Sequence, residues 1–313
     1  MRPSISVVVP VYNSEASLRE LIERLQLVLE SITEKWEVIL VNDASSDSSW
    51  EVIQQVAGQR KWIRGISLMR NYGQHNAILC GVRDARYDLI LTLDDDLQHP
   101  PEEIPRLITA LKDGCDVVYG TPEKEQHGLA RDLASQLTKF ALQHAMGAKT
   151  ARQVSAFRLF RASIRDAFAG YRGPYVSMDV LLTWGTRNFS AIPVRHEARK
   201  YGRSSYTLAK LVIAGLNLTT GFTTIPLHFA SIMGFLFTLF GFGVLAYVVS
   251  QYVLQGGSAP GFPFIASIIA IFSGAQLFAL GIIGEYIARM HFRTMDQPPY
   301  VVRGTTERRN ADE

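Results

Sequence analysis

Between Lys210 and Glu285 the chain carries no Asp, Glu, Lys or Arg. An uncharged stretch of that length excludes an ordinary water-facing surface there and points to lipid. Cysteine is scarce as well. Cys80 and Cys115 are the only two, both in apolar surroundings and without CxxC spacing. That excludes a disulfide framework and a thiolate zinc site, and leaves two buried reduced thiols as the expectation. An excess of one charge sign is also missing. The formal net charge is +3 and no basic stripe interleaved with aromatics occurs, which excludes a nucleic-acid partner. Near the N-terminus the apolar run from Ile5 to Val9 is too short for a signal-peptide core. There is no internal repeat and no low-complexity tract.

The residues before Lys210 are normally charged and alternate between two patterns. Runs at 5–9, 37–41, 63–68, 89–93 and 117–119 read as short buried strands, the first closed by Pro10. Between them lie helical spacings. Leu18, Leu21, Ile22, Leu25 and Val28 follow a capping Ser14 or Ser17, and Trp50, Ile53 and Val56 follow a polar turn. Residues 74–85 form a third helix, and Ile104, Leu107, Ile108 and Leu111 a fourth after Pro100-Pro101. Strands alternating with helices imply right-handed crossovers and a mostly parallel α/β sheet. Ligands of such sheets bind beyond the carboxyl ends of the strands. Three of those ends are polar here: Pro10-Val11-Tyr12-Asn13, Asn42-Asp43 and Asp94-Asp95-Asp96.

The stretch LILTLDDDLQHPPEEI, residues 89–104, is the sharpest of the three. Adjacent carboxylates repel, and a hard divalent cation, Mg²⁺ or Mn²⁺, relieves the repulsion while offering open positions to a diphosphate. If the extended geometry persists past the strand, Asp94 and Asp96 point the same way and Asp95 the other. The competing reading is a solvated acidic turn that caps the following helix.

Together, VVVPVYN, VNDASSD, RNYGQHNAI and DDDLQHPPEEIP resemble the family-2 glycosyltransferases of GT-A fold. Within them the chain is similar to the polyisoprenyl-phosphate glycosyltransferases, the group of dolichol-phosphate mannose synthase and the bactoprenol glucosyltransferases. The resemblance implies a membrane-bound, inverting enzyme that moves a sugar from a nucleotide-sugar to undecaprenyl or another polyprenyl phosphate. A UDP-sugar is favoured as donor, a GDP-mannose-using synthase is the alternative, and family members form homo-oligomers. It implies that Pro10, Tyr12, Glu15, Asp43 and Asp94 line the nucleotide pocket, and that Asp94, Asp96 and Gln98 hold Mg²⁺ or Mn²⁺. Asp43 is equally readable as a turn or helix cap. Arg131 and Ser135, four apart on an expected helix at 128–140, fall on the family's acceptor-phosphate positions, joined by Arg158 and Arg203. Asp94, Asp96 and Arg131 are then the catalytic set. Arg158 is also readable as an ion-pair partner. Two positions depart from the family: Asp95, where a small residue is usual, and Ala156, where many relatives carry an acid. His196 reads as structural.

The rest of the chain divides by apolarity. The expected organisation is a cytosolic transferase domain over 1–205, interfacial amphipathic helices over 206–227, a two-helix transmembrane hairpin over 228–288 and a tail over 289–313. A short strand is expected at 300–302. Arg199, Lys200, Arg203 and Lys210 precede the first span, Arg289 and Arg293 follow the second, and the loop between has no charge. The positive-inside rule then puts both termini in the cytoplasm, at a bacterial inner membrane. The rival class is a non-catalytic membrane scaffold built on a degenerate transferase domain.

Overall fold

The computed structural model describes residues 3–112, 114–122, 154–173, 176–198, 200, 225–255 and 261–306. The expected helix at 128–140 and most of the expected interfacial segment at 206–227 lie outside the described residues. Two compact units divide the chain, Met1–Gly215 with Asp296–Glu313, and Leu216–Met295. The tail from Asp296 onward therefore belongs with the first unit.

In the first unit the strands are β1 (Ile5–Val11), β2 (Trp36–Asn42), β3 (Ile63–Leu68), β4 (Leu89–Thr92), β5 (Val117–Pro122), β6 (Arg158–Arg161), β7 (Phe189–Val194) and β8 (Val302–Thr305). They form one sheet in the order β7-β5-β6-β4-β1-β2-β3-β8. The β4-β1-β2-β3 block is parallel, whereas β6 runs antiparallel to both β4 and β5, and β8 antiparallel to β3. Helices α1 (Glu15–Ile32), α2 (Ser49–Gln59), α3 (Gln74–Asp84), α4 (Ile104–Lys112) and α5 (Met178–Gly185) accompany it.

Alternation along the strands feeds two cores, as expected when both faces of a parallel sheet are covered. Val7, Val9 and Val11 of β1 pack with Leu18, Leu21 and Leu25 of α1. Val8 packs on the opposite face with Ile39, Val41 and the α3 residues Ala77 and Ile78. Helix α3 lies so close that a β-carbon at Gly81 would overlap Val8 Cγ1 and stand 3.1 Å from Val41 Cγ2. Gly81→Ala is therefore expected to destabilise by about 1–3 kcal/mol through overpacking, read as a lowered thermal midpoint in detergent.

Pro10 does not close β1. It lies within the strand, in register with Val41. Val8 O accepts from Leu93 N on the β4 side, and Val11 O accepts from Asp43 N on the β2 side. Residue 10 faces the same side as residue 8, and β4 ends at Thr92. The proline's missing N–H thus falls where no neighbouring strand remains to need it.

The second unit holds α6 (Ile225–Gln255) and α7 (Phe262–Thr294), with Phe237 and Phe272 edge to face at 5.8 Å. Within them Leu227–Gln251 and Ile271–Ala288 are long and apolar enough to cross a membrane, and neither window is buried by protein. At 1.5 Å per residue they span about 37 and 27 Å, against about 30 Å of hydrocarbon.

Candidate functional site

Because β4, β1, β2 and β3 are parallel neighbours, their carboxyl ends share one edge of the sheet. The loops leaving that edge are stitched to one another. Asn13, at φ +54°, accepts from Ser46 N at 2.8 Å, and its own N–H donates to Ser45 Oγ at 3.0 Å. Glu15 accepts from Ser48 N at 2.9 Å, so the side chain expected in the nucleotide pocket also secures the start of α2. Tyr12 is half exposed, at 50%, beside this seam.

Asp43 is buried and accepts from Tyr72 N and Gly73 N, both at 2.8 Å. These bonds make Asp43 the organiser of the distant RNYGQH loop, a contact that neither reading of the sequence included. Burial pushes its pKa up, against the pull of those two N–H groups. The same loop reaches the aspartates: Gln74 Nε2 donates to Asp94 Oδ1 at 2.5 Å.

Past Thr92 the extended geometry does not persist. The chain turns at Asp95 and Asp96, and Leu97 sits at φ +60°. The expected alternation of Asp94 and Asp96 is therefore replaced by a turn, in which Asp96 Oδ1 accepts from Gln98 N at 3.0 Å. Asp95 bridges to β1, accepting from Tyr12 N at 3.2 Å. Burial raises its pKa to about 6, opposed by the Ser14 hydroxyl and the Tyr12 N–H.

Asp94, Asp96 and Gln98 offer carboxylate and amide oxygens only. Among the described residues no group of three or more His, Cys, Asp or Glu side chains forms a metal cage. Such a set suits Mg²⁺ or Mn²⁺, which is held by one or two carboxylates and completed by substrate phosphates, and does not suit a structural zinc. The residues present thus fit the expected cation.

His99 is a site residue that the sequence reading left without a role. It stacks on Phe157 at 5.5 Å and meets His196 edge-on at 5.1 Å, and its Nδ1 is buried without a hydrogen-bond partner. Burial holds its pKa down at about 4, with His196 adding and Asp96 opposing, so the ring is neutral at physiological pH. Behind the turn, Arg24 of α1 forks onto Glu102 at 3.0 and 2.7 Å and reaches Glu197 at 3.0 Å. Glu197 N in turn donates to Gln98 O at 2.9 Å. No local pattern could have revealed this clamp, since its three parts are far apart in sequence.

On the acceptor side, Arg131, Ser135 and Arg203 lie outside the described residues. Arg158 does not reach out as a phosphate ligand. It is buried, ion-paired with Asp179, and donates from Nε to Thr92 Oγ1 at 3.0 Å. The ion-pair alternative is the one realised. Ala156 presents its carbonyl to Thr92 Oγ1 at 2.8 Å. The Glu37–Arg64–Asp84 cluster is no rival site, because it gathers where β2 and β3 begin and α3 ends, away from the strand ends.

A Rossmann-like, mostly parallel sheet with an aspartate turn after β4 is the architecture of the GT-A fold. Glucosyl-3-phosphoglycerate synthase from Mycobacterium tuberculosis shares the fold, with TM-score 0.51 and 19% identity over 70% of this chain and 80% of that one. The chain belongs to glycosyl transferase family 2, whose pattern it matches over residues 6–168. It is 35% identical to undecaprenyl-phosphate 4-deoxy-4-formamido-L-arabinose transferase of Edwardsiella ictaluri, over 99% of this chain and 96% of that protein. The enzyme of that description from Salmonella choleraesuis is also 35% identical, over 95% and 92%. The match runs through both apolar helices, and the protein is a membrane glycosyltransferase.

Proposed function

We propose that the protein transfers a sugar from a nucleotide-sugar, with UDP as the favoured nucleotide, to a polyprenyl phosphate, with inversion at the anomeric carbon. The observation that carries this reading is the convergence of three polar strand ends, and the loop after β3, on one edge of the sheet. A near end-to-end likeness to undecaprenyl-phosphate sugar transferases supports the acceptor class. The transferase domain is proposed to face the cytoplasm at a bacterial inner membrane, because Arg199, Lys200, Arg203 and Lys210 precede the first apolar helix and Arg289 and Arg293 close the second.

The chemistry needs little from a general base, since the attacking phosphate oxygen is already ionised near neutral pH. The missing acid at Ala156 is then no obstacle. What remains is orientation, exclusion of water and relief of charge on the departing nucleoside diphosphate. Tyr12 and the loop organised by Asp43 cradle the nucleoside, with Glu15 and Pro10 shaping the pocket wall. Asp94, Asp96 and Gln98 hold Mg²⁺ or Mn²⁺, which when bound neutralises the diphosphate. Arg131, Ser135 and Arg203 are the proposed acceptor-phosphate ligands.

Calorimetry on detergent-purified protein tests this directly. UDP is expected to bind when Mn²⁺ is present and to bind far less without it, with GDP weaker in both conditions. Tighter binding of GDP replaces the donor class. Binding of neither nucleotide by folded protein overturns the reading in favour of a scaffold.

A further inference from the structure

The C-terminal tail, in which the sequence leads one to expect a short strand, is bound along one side of the site. Just past α7, Asp296 pairs with Arg172 at 2.7 Å. Pro299 O accepts from Asn76 Nδ2 at 2.6 Å, and the Tyr300 ring lies 5.8 Å from the Arg83 guanidinium. Val301 O accepts from Met69 N at 2.9 Å, and Arg303 Nη2 donates back to Met69 O at 3.0 Å. Strand β8 then pairs with β3, and Thr306 exchanges hydrogen bonds with Gly65 at 2.9 and 2.8 Å.

Three of these bonds, one at Asn76 and two at Met69, fall on residues 69–76. From Met69 to Gly73 that segment has no helix or strand of its own. A coil without a ladder takes its geometry from its partners. Its middle is held by Asp43 through Tyr72 N and Gly73 N. Its entrance, Met69, and its exit, Asn76, are held by the tail. Between them Gly73 adopts φ +94°, a conformation that suits glycine. Gln74, two residues before Asn76, is the side chain that fixes Asp94. A slack entrance or exit would therefore be felt at both Asp43 and Asp94.

We propose that residues 296–306 form a strap that positions the nucleotide-pocket loop, with Asn76 and Arg303 as the positioning residues. The strap rests on the donor-site reading above. It has a consequence for the architecture of the chain. The segment leaving the second apolar helix is part of the donor pocket's scaffold, so the pocket is complete only after the membrane hairpin has been made and the tail has returned to the sheet.

Asn76→Ala and Arg303→Met in the full-length protein test it. Asn76→Ala removes the bond to Pro299 O and Arg303→Met the bond to Met69 O, and neither residue is a proposed ligand of donor, cation or acceptor. The dissociation constant for UDP with Mn²⁺, and the donor KM, are expected to rise roughly two- to tenfold, the scale of one lost hydrogen bond. The kcat at saturating donor and the KM for the polyprenyl phosphate are expected to stay within about twofold, a split that general destabilisation does not give. Amide hydrogen exchange across residues 69–76, measured without nucleotide, is expected to speed up in both variants. Unchanged exchange there in Arg303→Met overturns the strap, as does a parallel shift in both KM values and kcat. Should the wild type bind neither UDP nor GDP, the donor reading fails, and the strap stands or falls on exchange alone.

Discussion

Asp96→Asn is expected to lower sugar transfer by roughly a hundred- to a thousandfold, the scale of losing one preorganised charge-stabilising group. The substitution is chosen because it separates charge from shape. In the structure Asp96 Oδ1 accepts from Gln98 N, and an asparagine carbonyl can accept the same bond. The turn should therefore persist, and the thermal midpoint should move little. What is lost is a negative oxygen donor, one of the two carboxylates proposed to hold the cation. Mn²⁺-dependent UDP binding should weaken together with turnover, and raising Mn²⁺ should recover part of it. Asp95→Ala is the internal control. Asp95 bonds to Tyr12 N across the seam with β1, so its loss should cost activity far less than the loss of Asp96. Near-wild-type turnover by Asp96→Asn, in protein that binds UDP, removes Asp96 from the cation site.

The site could be anticipated from the sequence because its parts are local. Each parallel strand announces itself by a short β-branched run, and the polar residues that matter follow it within a few positions. That Asp43 and Asp94 would lie at one edge of the sheet needed nothing more than the rule that ligands gather at carboxyl ends; their roles there came from the family resemblance. The same logic fails for β6. Four residues, Arg158–Arg161, carry too little pattern to be read as a strand, and the run inserts antiparallel between β4 and β5, so chain order gives no hint of it. Strand β7 is similar: Phe189–Val194 ends in Pro193-Val194 and is only partly buried, so its periodicity is weak. The tail strand is expected at 300–302 and found at Val302–Thr305. Its register is set by β3, with Ile66 opposite Thr305, and not by any feature of the tail. Within the site, the missing information was about partners. That Gln74 reaches Asp94, or that Arg24 grips Glu102 and Glu197, depends on long-range packing that no window of sequence contains.

Asp179→Ala tests the most consequential of those long-range partnerships. Arg158 and Asp179 form a buried ion pair, with side chains 1% and 8% exposed. Tyr119 Oη adds a hydrogen bond to Asp179 Oδ1 at 3.1 Å, and Arg158 Nε donates to Thr92 Oγ1 at 3.0 Å. Met178 N donates to His75 Nδ1 at 3.4 Å at the border of this group. Burial holds the His75 pKa down, keeping the ring neutral, while burial and the Asp179 charge push the Tyr119 pKa up. Removing Asp179 strands a guanidinium in an apolar core beside a neutral imidazole and a neutral phenol, neither of which can take its place. The expected loss is about 3–5 kcal/mol, read from denaturant unfolding in detergent. Replacing both partners with apolar residues of similar size, Arg158→Met with Asp179→Leu, should recover most of that stability, because the cost lies in the unpaired charge and not in the absent bond. That double variant also tests the assignment of Arg158 to the ion pair and not to the acceptor phosphate. With its guanidinium committed to Asp179 and Thr92, a refolded double variant should retain transfer and its KM for the polyprenyl phosphate. A folded double variant whose acceptor KM rises many-fold would return Arg158 to the acceptor phosphate, and make the ion pair the device that aims it.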